Sequence, residues 1–94
     1  LALLHHLAIT TNIPLADLVR WLASFGAHIV VEFVRRSDPM VERLLLNRDD
    51  IYHDYHLIEF ERLIEKRFRT LDRTTTHQGS RVLFFLEPIE MGSP

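Results

Sequence analysis

Short apolar blocks of changing period alternate with polar stretches along this chain. The first block, Leu1 to Ile9, is apolar apart from the adjacent His5 and His6. A run this short reads as a buried parallel strand, although periodicity alone does not separate it from a buried helix. On the strand reading, His5 and His6 lie near the carboxyl end, where open α/β sheets place their ligands. Thr10-Thr11-Asn12 then supplies capping side chains, and Pro14 suits a first helical turn. Leu15, Leu18, Val19, Leu22 and Phe25 recur at helical spacing, which predicts a helix over about 14–25, with Gly26 as its left-handed stop. Ile29-Val30-Val31-Glu32-Phe33-Val34 is β-branched and apolar on both faces apart from Glu32, the pattern of a strand covered on both sides. Strand, helix and strand in this order predict a right-handed parallel βαβ unit.

The second half changes character. Ser37-Asp38-Pro39 predicts a helix start, with Asp38 as N-cap and Pro39 in the first turn. Val41, Leu44 and Leu45 give that helix its apolar face, and the polar run Asn47-Arg48-Asp49-Asp50 ends it. Ile51 to Tyr55 forms an aromatic and polar connection. Leu57, Phe60, Leu63, Ile64 and Phe68 then make the stripe of a third helix. Arg69 to His77, a turn at Gln78-Gly79-Ser80, and Arg81 to Leu86 predict an antiparallel hairpin.

Composition narrows the class. With 94 residues, 47% of them hydrophobic, the chain is one domain or part of one. The net charge of −2 offers no electrostatic footprint for nucleic acid. There is no cysteine, which removes disulfides and thiolate metal sites and suits a reducing compartment. No apolar run approaches a membrane span, and no signal-peptide pattern appears. These features predict a soluble, cytoplasmic protein with no membrane and no nucleic-acid partner.

The order of elements, together with several local stretches, resembles the C-terminal half of a class I S-adenosylmethionine-dependent methyltransferase. The stretches are Leu1-Ala2-Leu3-Leu4-His5-His6-Leu7, Val31-Glu32-Phe33-Val34, Ser37-Asp38-Pro39-Met40-Val41 and Leu44-Leu45-Leu46-Asn47-Arg48-Asp49-Asp50-Ile51. That family has a seven-stranded sheet whose last strand inserts antiparallel to the others. The fold class implied is α/β, a partial Rossmann-like three-layer sheet. It would hold a parallel βαβ unit, helices and a C-terminal antiparallel hairpin. One methyltransferase-like domain half would cover residues 1–88, with a flexible tail at 89–94.

The family's Gly-rich cofactor loop is missing, as is the acidic residue that holds the ribose. The glycines number three, Gly26, Gly79 and Gly92, and none lies in a strand–loop–helix setting. The resemblance therefore implies a fragment that binds S-adenosylmethionine only in the intact domain and is inactive alone. Its partners would be a small-molecule or other methyl acceptor and the N-terminal half of the domain. Self-association through the exposed edge of the first strand is also expected. The alternative is a stand-alone α/β protein-interaction module without catalysis.

Candidate site residues follow from the same resemblance. His5 and His6, after the family's fourth strand, would border the sulfonium and the acceptor, and a neutral imidazole there could take a proton. The rival role for them is packing beneath a neighbouring helix. Transfer would run in line from sulfonium to nucleophile, so alignment matters more than a base. Glu32 interrupts an apolar strand and needs a partner or an open site, because an unpaired buried carboxylate is costly. Arg35 or Arg36 could pair with it, and Glu32 and Arg35 are candidates for contact with substrate. Tyr52 and Tyr55 are further candidates, in a loop at the same end. His53, His56 and Glu59 would lie along one side of a helix and raise a metal reading with Asp54. Asp54 is at the wrong phase, however, a zinc site needs three or four converging ligands, and no metal is expected.

Overall fold

A computed structural model describes residue 4 and residues 6–11, 13–46 and 55–89. Its order is a π-helical turn over His6–Thr10, helix α1 (Leu15–Ala23), strand β1 (Ile29–Val34), helix α2 (Pro39–Leu45), helix α3 (Leu57–Glu65), strand β2 (Phe68–Thr76) and strand β3 (Arg81–Pro88).

The first block departs from the expected strand. Leu4 is helical and His6–Thr10 winds as a π-helical turn, packed against α1 and α2. Leu4, Ala8 and Ile9 are buried, the spacing of one helical face rather than of alternate strand positions. The composition explains the outcome, since this block is built of Leu and Ala with Ile9 as its one β-branched residue. Leu and Ala favour helices, and β-branched residues favour strands.

Without that strand there is no parallel βαβ unit among the described residues. The sheet has three strands in the order β1-β3-β2, and both pairings are antiparallel. Val31 sits opposite Phe84 on β3, and Thr74 of β2 sits opposite Leu83. The Rossmann-like three-layer sheet is thus replaced by a small antiparallel one. Because β3 lies between them, β1 and β2 point the same way without being hydrogen-bonded to each other. Of the edge expected at Leu1–Leu7, Leu4, His6 and Leu7 are helical, while residues 1–3 and 5 lie outside the described residues. The hairpin of β2 and β3 is present, with a register irregularity between Thr70 and Asp72.

Helix α1 buries Leu15, Leu18, Val19 and Leu22. Its stripe stops short of Phe25, which is exposed beyond the last turn and meets Trp21 edge-on at 5.2 Å. Gly26 takes a φ of 64°, the left-handed conformation expected of it. Phe68 opens β2 instead of extending α3 and remains buried.

The described helices cover one face of the sheet. On that face Val31, Phe33, Val82, Phe84 and Leu86 are buried. Phe33 stacks on Tyr55 at 4.7 Å and on Phe60 at 5.0 Å, while Phe60 meets Phe84 edge-on at 5.5 Å. The alternate residues Val30, Leu83 and Phe85 are 47%, 41% and 40% exposed, so a helical layer is absent from their side among the described residues.

This asymmetry sets the cost of truncation. Phe33→Ala should lower unfolding stability by about 3–5 kcal/mol, the usual cost of deleting a fully buried ring. Phe85→Ala, two-fifths exposed, should cost below about 1 kcal/mol. Urea unfolding of the two variants checks which face is the core.

Candidate functional site

The carboxyl end of β1 is where the most side-chain chemistry converges. Its centre is Asp38, 3% exposed, the buried polar residue among the described positions. Asp38 caps α2 as Asp-Pro predicts, its Oδ1 accepting from the Met40 amide at 2.9 Å. The same carboxylate also reaches across the fold. Oδ2 accepts from the Ser80 hydroxyl at 2.6 Å and from Arg81 Nε at 3.0 Å, and Arg81 Nη2 approaches Oδ1 at 3.4 Å. The Arg81 bonds, followed by those from Ser80 and the Met40 amide, hold the Asp38 carboxyl well below the usual carboxylate range against the opposing effect of burial.

Backbone bonds complete the junction. The Arg35 amide donates to the Ser80 carbonyl at 2.7 Å, and the Asp38 amide donates to the Arg35 carbonyl at 2.9 Å. The turn that returns the chain to Ser80 is unusual. His77, Gln78 and Gly79 all take positive φ, at 53°, 58° and 92°. Two of these are residues with side chains, for which the left-handed region costs about 1–2 kcal/mol each. An open groove of about 500 Å³ lies beside this junction, lined by Asp38, Met40, Arg43, His77, Gln78 and Arg81.

The candidate residues fare differently. Glu32 is half-buried on β1, and its neighbouring cation is Arg81, with Nη1 3.9 Å from Oε1, rather than Arg35 or Arg36. Arg35 is exposed just beyond β1. Tyr55 is 2% exposed and stacked on Phe33, and its hydroxyl donates to the Val34 carbonyl. Burial pushes that phenol above its ordinary pKa. Tyr55 therefore seals the end of β1, and its burial leaves it no surface for a substrate. His6 is half-buried in the π-helical turn and not on a strand. His5 and Tyr52 lie outside the described residues.

Of the metal reading, His56 stands at the N-cap of α3 and Glu59 is engaged by Arg62, while His53 and Asp54 lie outside the described residues. No group of three His, Asp or Glu side chains converges among the described residues. Nor does any helix among them have the length and apolar character to cross a membrane.

The chain is similar to nodulation protein NoeA of Rhizobium meliloti (strain 1021). Identity is 34% over 90 residues, covering 96% of this chain and 19% of NoeA. It thus spans about a fifth of that relative's length. No protein-family profile and no solved structure matches it.

S-adenosylmethionine needs a close approach of backbone to cofactor, which glycine marks where a Cβ would collide. A Cβ placed on Gly26 or Gly79 would meet nothing within 4 Å, so both glycines serve turns. No step of methyl transfer follows from the described residues. Ser80 and Arg81, which sequence reasoning passed over, are the more telling residues. They are 42 and 43 positions from Asp38, and no local spacing signals that contact.

Because the Asp38 carboxyl is depressed below its unfolded value near 3.9, its contribution should be complete above about pH 5 and lost as pH falls through the folded value. Asp38→Asn should cost about 2–3 kcal/mol at pH 7, from a weakened cap and weakened bonds to Arg81. The variant should also lose stability less steeply on acidification. Urea midpoints measured from pH 7 to pH 2 give both results.

Proposed function

We propose that the chain is a C-terminal portion of an S-adenosylmethionine-dependent methyltransferase domain. It would contribute sheet-core and acceptor-side elements and be inactive by itself. The observation that carries this reading is the position of β3. The last strand enters antiparallel between two earlier strands that share a direction, in the order β1-β3-β2. A last strand inserted antiparallel is the mark of the family that the local sequences resemble. That the sequence holds no Gly-rich loop between a strand and a helix supports inactivity of the isolated chain. From NoeA we carry over only the suggestion that the longer protein acts in nodulation.

A second reading, an interaction module without catalysis, draws on the apolar residues Val30, Leu83 and Phe85 standing open on one sheet face. One experiment separates the two. Calorimetry with S-adenosylmethionine should give no binding heat for the 94-residue chain. The complete natural polypeptide that carries this segment should bind it and transfer its methyl group. A complete polypeptide that fails to bind the cofactor overturns the methyltransferase reading. Tight binding by the chain alone overturns its inactivity.

A further inference from the structure

The guanidinium groups of this chain divide into two sets. Arg20, Arg62, Arg69, Arg73 and Arg81 each sit against a carboxylate, respectively of Asp17, Glu59, Glu87, Glu61 and Asp38. Arg43 and Arg67 have no carboxylate partner among the described residues, and neither do Arg35 and Arg36, although the chain as a whole is acidic. Arg35 and Arg36 are adjacent in sequence and line one groove of about 580 Å³, between the loop after β1 and the start of α3. Glu59, the acid in that lining, is already neutralised by Arg62.

The two cations are differently prepared. The Arg36 Nε donates to the Tyr55 carbonyl at 2.9 Å, which fixes the side chain and leaves its terminal amino groups without an acceptor among the described residues. Tyr55 is itself anchored through Val34, so Arg36 is held against the core. A guanidinium already positioned loses less freedom when it grips a second oxyanion, and its fork matches carboxylate or phosphate. Arg35 is exposed, and the Ser37 hydroxyl stands beside it in the lining. The rest of the wall is His56, which is exposed, and the apolar Leu57, half-buried, and Ile58, 81% exposed.

We propose that this groove binds a small organic anion, its carboxylate or phosphate held by Arg35 and Arg36 and its apolar part lying on Leu57 and Ile58. That the anion is the methyl acceptor rests on the methyltransferase reading. That the groove takes an oxyanion does not, and the test needs no cofactor.

The probes are phenyl phosphate, phenylacetate and inorganic phosphate, titrated into the isotope-labelled chain at constant ionic strength and followed by amide shifts. Phenyl phosphate should saturate with a Kd of about 1–5 mM, moving the amides of residues 35–37 and 56–59. Inorganic phosphate should bind several-fold more weakly. Phenylacetate binding as well as phenyl phosphate marks a carboxylate site, and phenylacetate binding much more weakly marks a phosphate site.

Arg35→Gln should weaken phenyl phosphate about tenfold, the usual loss for one charge-assisted pair. Arg67→Gln, another unpaired arginine outside the groove, should change nothing. Arg36→Gln also removes the bond to Tyr55, so the Arg35 variant carries the decision. Unsaturable shifts, equal weakening by Arg67→Gln, or equal affinity for inorganic and phenyl phosphate would overturn the proposal. None of these outcomes depends on S-adenosylmethionine, so this groove and the methyltransferase reading fail separately.

Discussion

One carboxylate ties three parts of this fold together. Asp38 caps α2, takes a hydroxyl proton bond from Ser80 at the hairpin's return, and pairs with Arg81 at the start of β3. Each bond alone is worth about 1 kcal/mol, and more where a charge is involved. Their joint effect is positional. The carboxylate sets where α2 begins relative to the central strand, and so fixes the loop from Arg35 to Ser37. The left-handed turn at His77 and Gln78 is sustained from the same junction, because Ser80 is held by both Asp38 and the Arg35 amide. A strained turn persists where its surroundings over-determine it.

Around that junction the sheet is divided by face. The aromatic stack of Tyr55, Phe33, Phe60 and Phe84 packs α3 onto the central strand. Arg73 extends the contact, pairing with Glu61 while lying 5.7 Å from the Phe84 ring centre. The opposite face carries Val30, Leu83 and Phe85, with His28 tilted on Phe85 and close to Glu87 at the margin. A single helical layer thus supports a sheet whose other side sets the exposed Val30, Leu83 and Phe85 beside Glu32, Asp72 and Thr74. The charge pattern follows the same division of labour. Arg73 and Arg81 brace elements through acids, whereas Arg35 and Arg36 at the mouth of β1 have no acid partner among the described residues.

Much of the middle and end of the fold was legible locally. Asp38-Pro39 announced a capped helix, Gly26 announced a stop, and the alternation around Gly79 announced a hairpin. Each rests on backbone preferences acting within a few residues. The first block was misread as a strand because a short apolar run has no period of its own, although its Leu and Ala content pointed to a helix. Losing that strand also changed the sheet from parallel to antiparallel, since β1 then has β3 as its neighbour. The site was less legible than the fold. Glu32 was expected beside Arg35 or Arg36 and lies nearest Arg81, and Tyr55 was expected to face a substrate and is buried.

The amino-acid order by itself determined helix starts, helix stops, the hairpin and the apolar stripes, because those depend on φ, ψ and side-chain period at neighbouring positions. Tertiary structure alone decided which strand lies in the middle, which arginine meets Asp38, and which arginines have no carboxylate partner among the described residues. Those outcomes join residues as far apart as Ile29 and Leu86, and only burial and charge compensation in the folded chain choose among the partners available at such separations.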